Sequence, residues 1–427
     1  MSGPLSHLVV VEMATAIQGP AAALFLRDMG AEVIKIEPPM GEVNRYHRGV
    51  NNTLPPEAPG SQFISMNRGK KSVCLDIHTE LGLKSVQRLI AGADVFLSNF
   101  REEALQRMGV GYEAVRALNE SIIYALANGY GAAGPDAAKS MLDGTAIARG
   151  GLASVTGSLE AGPMAPGATI ADTTGAMQFA LAIVTALLAR ARDGKGQKVQ
   201  TSALGAQLWL QMWELTHVWM TGSLLKRSGA HHGNIHAPYG IYATADGGHF
   251  LFAVAATNEA WDEFWAFAGD AAAAADPKWD TPGKRIGSMA SEEDAHEVQD
   301  KMRAAFKTRT TAEWHDFLRG QPDIVFEKVQ NYNEVRTDPQ VTANRYVEQV
   351  QIEHIGETTM VGNLVAFSET PAVAGGAPPG LGQHTESVLQ ELGFSAEEIG
   401  SVIQHATGER EALMAEYFTP ADDQAER

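Results

Sequence analysis

An aspartate, Asp172, stands at the head of a long apolar segment in the run PGATIADTTGAMQFALAIVTALLARARDGKG, residues 166–196. Small or short residues crowd around it: Ala171, Thr173, Thr174 and Gly175. A carboxylate with an ordinary pKa of about 4 is already ionised at neutral pH, so it needs no general base to be ready for chemistry. The same residue type also starts helices, because its oxygen accepts an unpaired N–H of the first turn. Met177, Leu181, Val184, Leu187 and Leu188 recur at helical spacing, which predicts a helix from Thr173 to the glycines Gly194 and Gly196. The two roles are compatible, since a helix N-terminus favours a negative charge by about 0.3–1 kcal/mol.

Other residue patterns suggest chemistry and then lose it on inspection. Residues 129–134, GYGAAG, fit the spacing of a dinucleotide fingerprint and follow a strand-like run. Pro135 and Asp136 come next, however, where that fingerprint must open a helix. No Walker sequence surrounds Gly194–Gly196, and no G-x-S-x-G nucleophile elbow occurs. His231, His232 and His236 could suggest zinc, but Gly233 and Pro238 break any helix that would present them together, so no metal is expected. The single cysteine, Cys74, lies in the strand-like run SVCLDI and reads as a core residue. Two basic clusters remain, Asn67-Arg68-Gly69-Lys70-Lys71 and Asn99-Phe100-Arg101 with Arg107. Basic side chains at strand ends suit phosphate contacts, and Phe100 can stack on a flat ring.

The chain has 427 residues, enough for two domains, with 44% hydrophobic and 20% charged residues. A net charge of −18 argues against nucleic acid or an anionic membrane as partners. One cysteine excludes an internal disulfide framework and suits a reducing compartment. The N-terminus MSGPLSHLVVVEM lacks the features of a signal peptide, and the run FALAIVTALLA is short of a bilayer span. A cytoplasmic location is expected.

The elements that must position these residues alternate. Strands are expected at 8–13, 31–37, 71–77, 93–100 and 121–128, with helices at 20–29, 80–90 and 102–108. Such alternation predicts a parallel α/β sheet whose ligands bind beyond the strands' carboxyl ends. The loops 15–20, 37–45 and 99–101 then share one rim. A long helix is expected over 202–225, with Trp209, Trp213 and Trp219 as a packing stripe. A hairpin turning at Asp246–Gly248 follows, and Ser395 with Glu398 forms a capping box for a late helix.

Together these blocks carry a resemblance. AAALFLRDMGAEVIKIEPPMGEVNR, MNRGKKSVCLDI, ADVFLSNFREEALQRMGVGYE, GYGAAGP, the Asp172 segment, HAPYGIYATADGGH and LGQHTESVLQELG follow in order from about residue 8 to 400. Their combination resembles the class III CoA-transferases, the formyl-CoA and carnitine CoA-transferase family, which also includes α-methylacyl-CoA racemase. The resemblance implies an α/β fold with a Rossmann-like large domain from both termini (1–205 and 325–427), a linker helix (206–226) and a small domain (227–320). It further implies an interlocked homodimer that uses a CoA thioester as substrate and binds no permanent cofactor. By this resemblance Asp172 is the nucleophile, passing through an anhydride and an aspartyl-CoA thioester. Asp143, Gln18 and Gly233 would support it. Ile17, Gln18, Asn67, Arg68, Gly69, Lys70, Asn99, Phe100, Arg101, Arg107, Leu142 and Asp143 would hold CoA. Pro38 stands where formyl-CoA transferase has an arginine, and His231-His232-Gly233-Asn234 replaces its Gly-rich loop, which argues against formyl and oxalyl groups. The racemase needs a histidine where Leu142 stands, so it is the weaker alternative; a subunit of a heteromeric transferase is another.

Overall fold

Short β-rich runs give six parallel strands: β1 (Val9–Met13), β2 (Glu32–Glu37), β3 (Lys71–Cys74), β4 (Val95–Ser98), β5 (Ile123–Asn128) and β6 (Gln197–Ser202). Their order across the sheet is β3-β2-β1-β4-β5-β6, all in parallel register. The computed structural model describes residues 3–49, 53–235, 238–285, 291–373 and 375–418. The five strands expected from the sequence are present and slightly shorter; β6, rich in polar residues, gave no apolar signal.

Alternation along each strand feeds two cores. Val11, Met13, Ile34, Ile36, Phe96, Tyr124 and Leu126 point to one face, where the helix Glu80–Ala91 packs Val86, Leu89 and Ile90. The late helices Thr385–Glu391 and Ala396–Phe418 close that face with Val388, Leu389, Ile399 and Val402. Val10, Val33, Val95, Leu97, Ile123 and Ala125 point to the other face, under the helices Gln18–Asp28 and Ile170–Asp193. Burial on both faces is what a parallel sheet with crossover helices requires. The expected capping box forms: Glu398 accepts the Ser395 N–H at 2.9 Å and its own N–H donates to Ser395 at 3.2 Å.

The helix at Asp172 differs from expectation. It begins at Ile170 after Thr169, so Asp172 lies in its first turn and is not the cap. Gly194, with φ of 72°, ends it. The helix buries Ala171, Gly175, Ala176, Phe179, Ala180 and Ile183, and leaves Met177, Leu181 and Leu188 exposed at 72%, 67% and 73%. It has the length and apolar composition to cross a membrane, but its buried face belongs to the sheet's core.

Two units divide the chain: 1–146, 169–210 and 336–427 form the first, and 147–168 with 211–335 form the second. Residues 147–168 therefore group with the middle of the chain, outside the 227–320 range expected for a small domain. The expected helix over 202–225 is two helices, Ala203–Leu210 and Met212–Thr221, with Gln211 non-helical between them. Trp209, Trp213 and Trp219 are 64%, 52% and 71% exposed in the single chain, not packed in its core as expected. The second unit holds the three-stranded antiparallel sheet β7 (Gly240–Ala243), β8 (His249–Ala255) and β9 (Ile324–Lys328). Its core is aromatic: Trp261, Phe264, Trp265, Trp279, Phe306 and Trp314 are fully buried.

Candidate active site

The sheet order reverses direction between β1 and β4, and in open α/β sheets the crevice at such a point binds ligands. Two exit loops meet there, residues 14–17 after β1 and 99–101 after β4. Asn99 clamps them: its Oδ1 accepts the Thr15 N–H at 3.0 Å and its Nδ2 donates to the Thr15 carbonyl at 2.8 Å. A Cβ on Gly19 would stand 2.5 Å from the Ala14 Cβ, so only glycine lets the first helix start this close to the loop. Ile17 is buried at the head of that helix and Gln18 is its first residue.

Gln18 connects this loop to the Asp172 helix. Its Nε2 would lie 2.5 Å from a Cβ on Gly175, so the absence of a side chain at 175 makes room for it. Gly175 is one turn beyond Asp172, on the same helix face. The Gln18 Nε2 is buried and has no hydrogen-bond partner among the described residues. A buried amide donor left unpaired costs about 1–3 kcal/mol, a cost that an accepting ligand or water would recover.

Asp172 is half-buried, and Asp143 Oδ1 accepts its backbone N–H at 3.0 Å. Burial, and then the negative charge of Asp143, push the Asp172 carboxyl up to about 6. The expectation of an ordinary carboxylate is therefore corrected, although roughly nine in ten molecules remain ionised at pH 7. The shift makes the carboxylate more basic than a free one. Asp143 itself opens the helix Asp143–Arg149, with exposed Leu142 just before it.

The cations behave differently from one another. Arg101 and Arg107 are exposed at the β4 exit, and Phe100 is half-buried beside them. Arg101 also donates to Ser140 at 2.5 Å. That contact brings the loop after β5 to the same rim with Lys139, an exposed cation absent from the sequence expectations. Asn67, Arg68 and Lys70, by contrast, are buried and spent inside the protein. Arg68 forks onto Asp28 at 2.7 and 2.5 Å. Lys70 donates to Glu12 at 2.7 Å, the Pro20 carbonyl at 2.9 Å and Asn67 at 3.0 Å. Burial holds its ammonium below the usual range, at about 8. Gly69, with φ of 65°, stands where a side chain would strike Arg27. The charged ends of Arg68 and Lys70, both expected at CoA, are thus engaged by Asp28 and Glu12.

A buried polar cluster behind the loop escaped the sequence reading. Glu12 and Lys35 are register partners on β1 and β2, both fully buried and paired at 2.9 Å. Lys35 also pairs with Glu42 at 2.7 Å. Burial opposes the charge on Glu12, but Lys35 and Lys70 together hold its carboxyl below the ordinary range.

In the second unit, His231 sits beside the Tyr239 carbonyl, Nδ1 to O 2.9 Å, and against Tyr242. Burial lowers its pKa, so it is neutral at pH 7. His232 stacks on Trp213 and faces Glu214 at 3.3 Å. Gly233 follows in the turn closed by the bridge between His232 and Ile235. His236 lies outside the described residues. Among those described, no group of three or more His, Cys, Asp or Glu could hold a metal ion. The Cys74 thiol is buried and pushed up to about 11 by burial, which suits an inert core position.

Comparison with known proteins gives a consistent picture. The family model for CoA-transferase family III matches residues 5–385. The chain is 30% identical over 392 residues to the succinyl-CoA:glutarate CoA-transferase of Mus musculus, covering 91% of this chain and 86% of that one. It is also 30% identical over 394 residues to the succinyl-CoA–D-citramalate CoA-transferase of Chloroflexus aurantiacus, covering 91% and 94%. Among solved structures, a CAIB/BAIF family protein from Brucella suis superposes with a TM-score of 0.80 at 27% identity, covering 92% of this chain and all of that one.

Proposed function

The chain belongs to CoA-transferase family III, and from that premise we propose that Asp172 is the nucleophile of a two-stage transfer of CoA between carboxylic acids. The Asp172 carboxylate attacks the thioester carbonyl of the donor, the carbon–sulfur bond breaks, and CoA leaves as thiolate. The product is a mixed anhydride. The thiolate attacks the aspartyl carbonyl, releasing the donor's acid and leaving Asp172 as its CoA thioester. An acceptor carboxylate then attacks that thioester, giving a second anhydride and the thiolate. Attack of the thiolate on the acceptor's acyl carbon forms the new thioester and returns the Asp172 carboxylate. No net proton, electron or permanent cofactor is needed.

One observation carries this reading: a buried amide donor without a partner, Gln18 Nε2, packs on the same helix face as a carboxylate of raised basicity. Gln18 would receive the oxyanion of each tetrahedral adduct, a role typically worth about 3–4 kcal/mol. Asp143 would keep Asp172 basic. Arg101, Arg107 and Lys139 would take the phosphates of CoA and Phe100 its flat ring, with Ile17, Asn99 and Leu142 shaping the approach. Asn67, Arg68, Gly69 and Lys70 would serve CoA indirectly, by fixing the neighbouring loops. Leu142 cannot move a proton, which leaves the racemase reading without one of its two groups.

The two relatives' names join succinyl-CoA to glutarate or D-citramalate, which supports succinyl-CoA with a dicarboxylate acceptor as the substrate class. A cytoplasmic homodimer completes the reading, supported by the lone buried Cys74 and by the exposed apolar row on the Asp172 helix. The test is a matrix of acyl-CoA donors against carboxylic acids, read by mass spectrometry. We expect transfer by the wild type and a loss of at least about 10³-fold in Asp172→Ala. Full activity in Asp172→Ala contradicts the mechanism.

A further inference from the structure

Among the described residues, three that are not glycine adopt positive φ: Ala16, Arg345 and His354. The last two flank or turn the hairpin formed by β10 (Val347–Ile352) and β11 (Gly356–Val361). Ala16, with φ of 65°, lies in the β1 exit loop, two residues before Gln18. L-residues avoid this region because Cβ crowds the following carbonyl oxygen, so such a bend persists only where its surroundings hold it. The holder here is a buried carboxylate. Glu42 Oε1 accepts the Ala16 N–H at 2.8 Å and the Asn44 amide at 3.0 Å. Its other oxygen pairs with Lys35 at 2.7 Å. Lys35 in turn donates to the Ala14 carbonyl at 2.8 Å and to Glu12 at 2.9 Å. The loop is thus gripped at Ala14 by Lys35, at Thr15 by Asn99 and at Ala16 by Glu42.

We propose that Glu42 is a positioning residue for the transfer: by holding Ala16 in its left-handed bend it aims the unpartnered Gln18 amide along the Asp172 helix. The proposal rests on the transferase reading for its catalytic consequence and on geometry alone for the bend. Glu42 touches no reacting atom; it acts through Ala16 and Gln18. Oε1 takes both hydrogen bonds and Oε2 lies at ion-pair distance from Lys35, so the acceptor and the charge both matter. A glutamine has one acceptor oxygen and no charge, so it cannot serve the Ala16 N–H and Lys35 together.

The test is Glu42→Gln, alone and combined with Ala16→Gly, because glycine adopts positive φ without an external anchor. With succinyl-CoA as donor and glutarate as acceptor, kcat in Glu42→Gln is expected to fall roughly tenfold, with KM for succinyl-CoA changed less than about twofold. Adding Ala16→Gly is expected to recover most of the loss, which a merely destabilising mutation would not allow. Hydrogen exchange of a peptide spanning 14–20 reads the bend without any substrate: faster exchange in Glu42→Gln is expected, and partial restoration in the double variant. Unchanged kcat and exchange in Glu42→Gln, or a loss that Ala16→Gly fails to recover, overturns the proposal. Asp172→Ala run alongside separates the outcomes. If it keeps full activity the mechanism fails, and the exchange data alone then decide whether Glu42 holds the bend.

Discussion

Asp172 is subject to opposing influences: its place in the first turn of a helix favours the charge, while burial and Asp143 oppose it. Opposition wins, and the carboxyl sits at about 6. Under the proposed mechanism the reactive form is the anion, so kcat/KM should fall as pH drops through about 6. Asp143→Asn should move that acid limb to lower pH, since it removes a repelling charge while leaving an oxygen for the Asp172 N–H. An unmoved limb in a pH–rate profile would deny the coupling. Stability follows with the opposite sign. The folded value lies above the unfolded one of 3.8, so the native state is favoured by the proton below that value and loses this contribution as pH rises through about 6. Asp172→Asn should therefore be inactive yet more stable near pH 8, by on the order of 1–2 kcal/mol, with little gain near pH 4. Thermal melts at the two pH values check this.

At the scale of elements, the site depends on how closely the first helix approaches the Asp172 helix. Gly175→Ala would place a methyl group 2.5 Å from the Gln18 amide nitrogen, displacing it. We expect at least a tenfold loss of kcat with nearly native melting temperature, measured by steady-state kinetics and calorimetry. The strands that build this rim were readable because Val, Ile and Leu runs were separated by clear turn residues and helical stretches. The polar strand β6 was not, and the helix at Asp172 began three residues earlier than its apolar spacing indicated. The partners of Arg68 and Lys70 were not legible for a physical reason: sequence displays charge and hides what it pairs with. Arg68 and Lys70 look like free cations until Asp28, Glu12 and Asn67 are seen around them. Asp172 and Gln18 were accessible from family resemblance, whereas the Glu42–Ala16 contact depends on a backbone angle that no residue pattern announces.

Across the whole molecule, the exposed row of Met177, Leu181 and Leu188 is unusual for a surface, because contiguous apolar faces mark interaction sites. If a second copy covers it, Leu181→Glu should shift the protein from dimer toward monomer in light-scattering mass measurements, at unchanged far-ultraviolet dichroism. An unaltered dimer would assign the contact elsewhere. The central claim, however, is covalent and can be read on the intact chain. Incubation with succinyl-CoA and hydroxylamine should add one hydroxamate per chain, localised by peptide mass spectrometry to Asp172, with loss of activity in proportion. Modification at another residue, or full inactivation with Asp172 unmodified, would contradict the account.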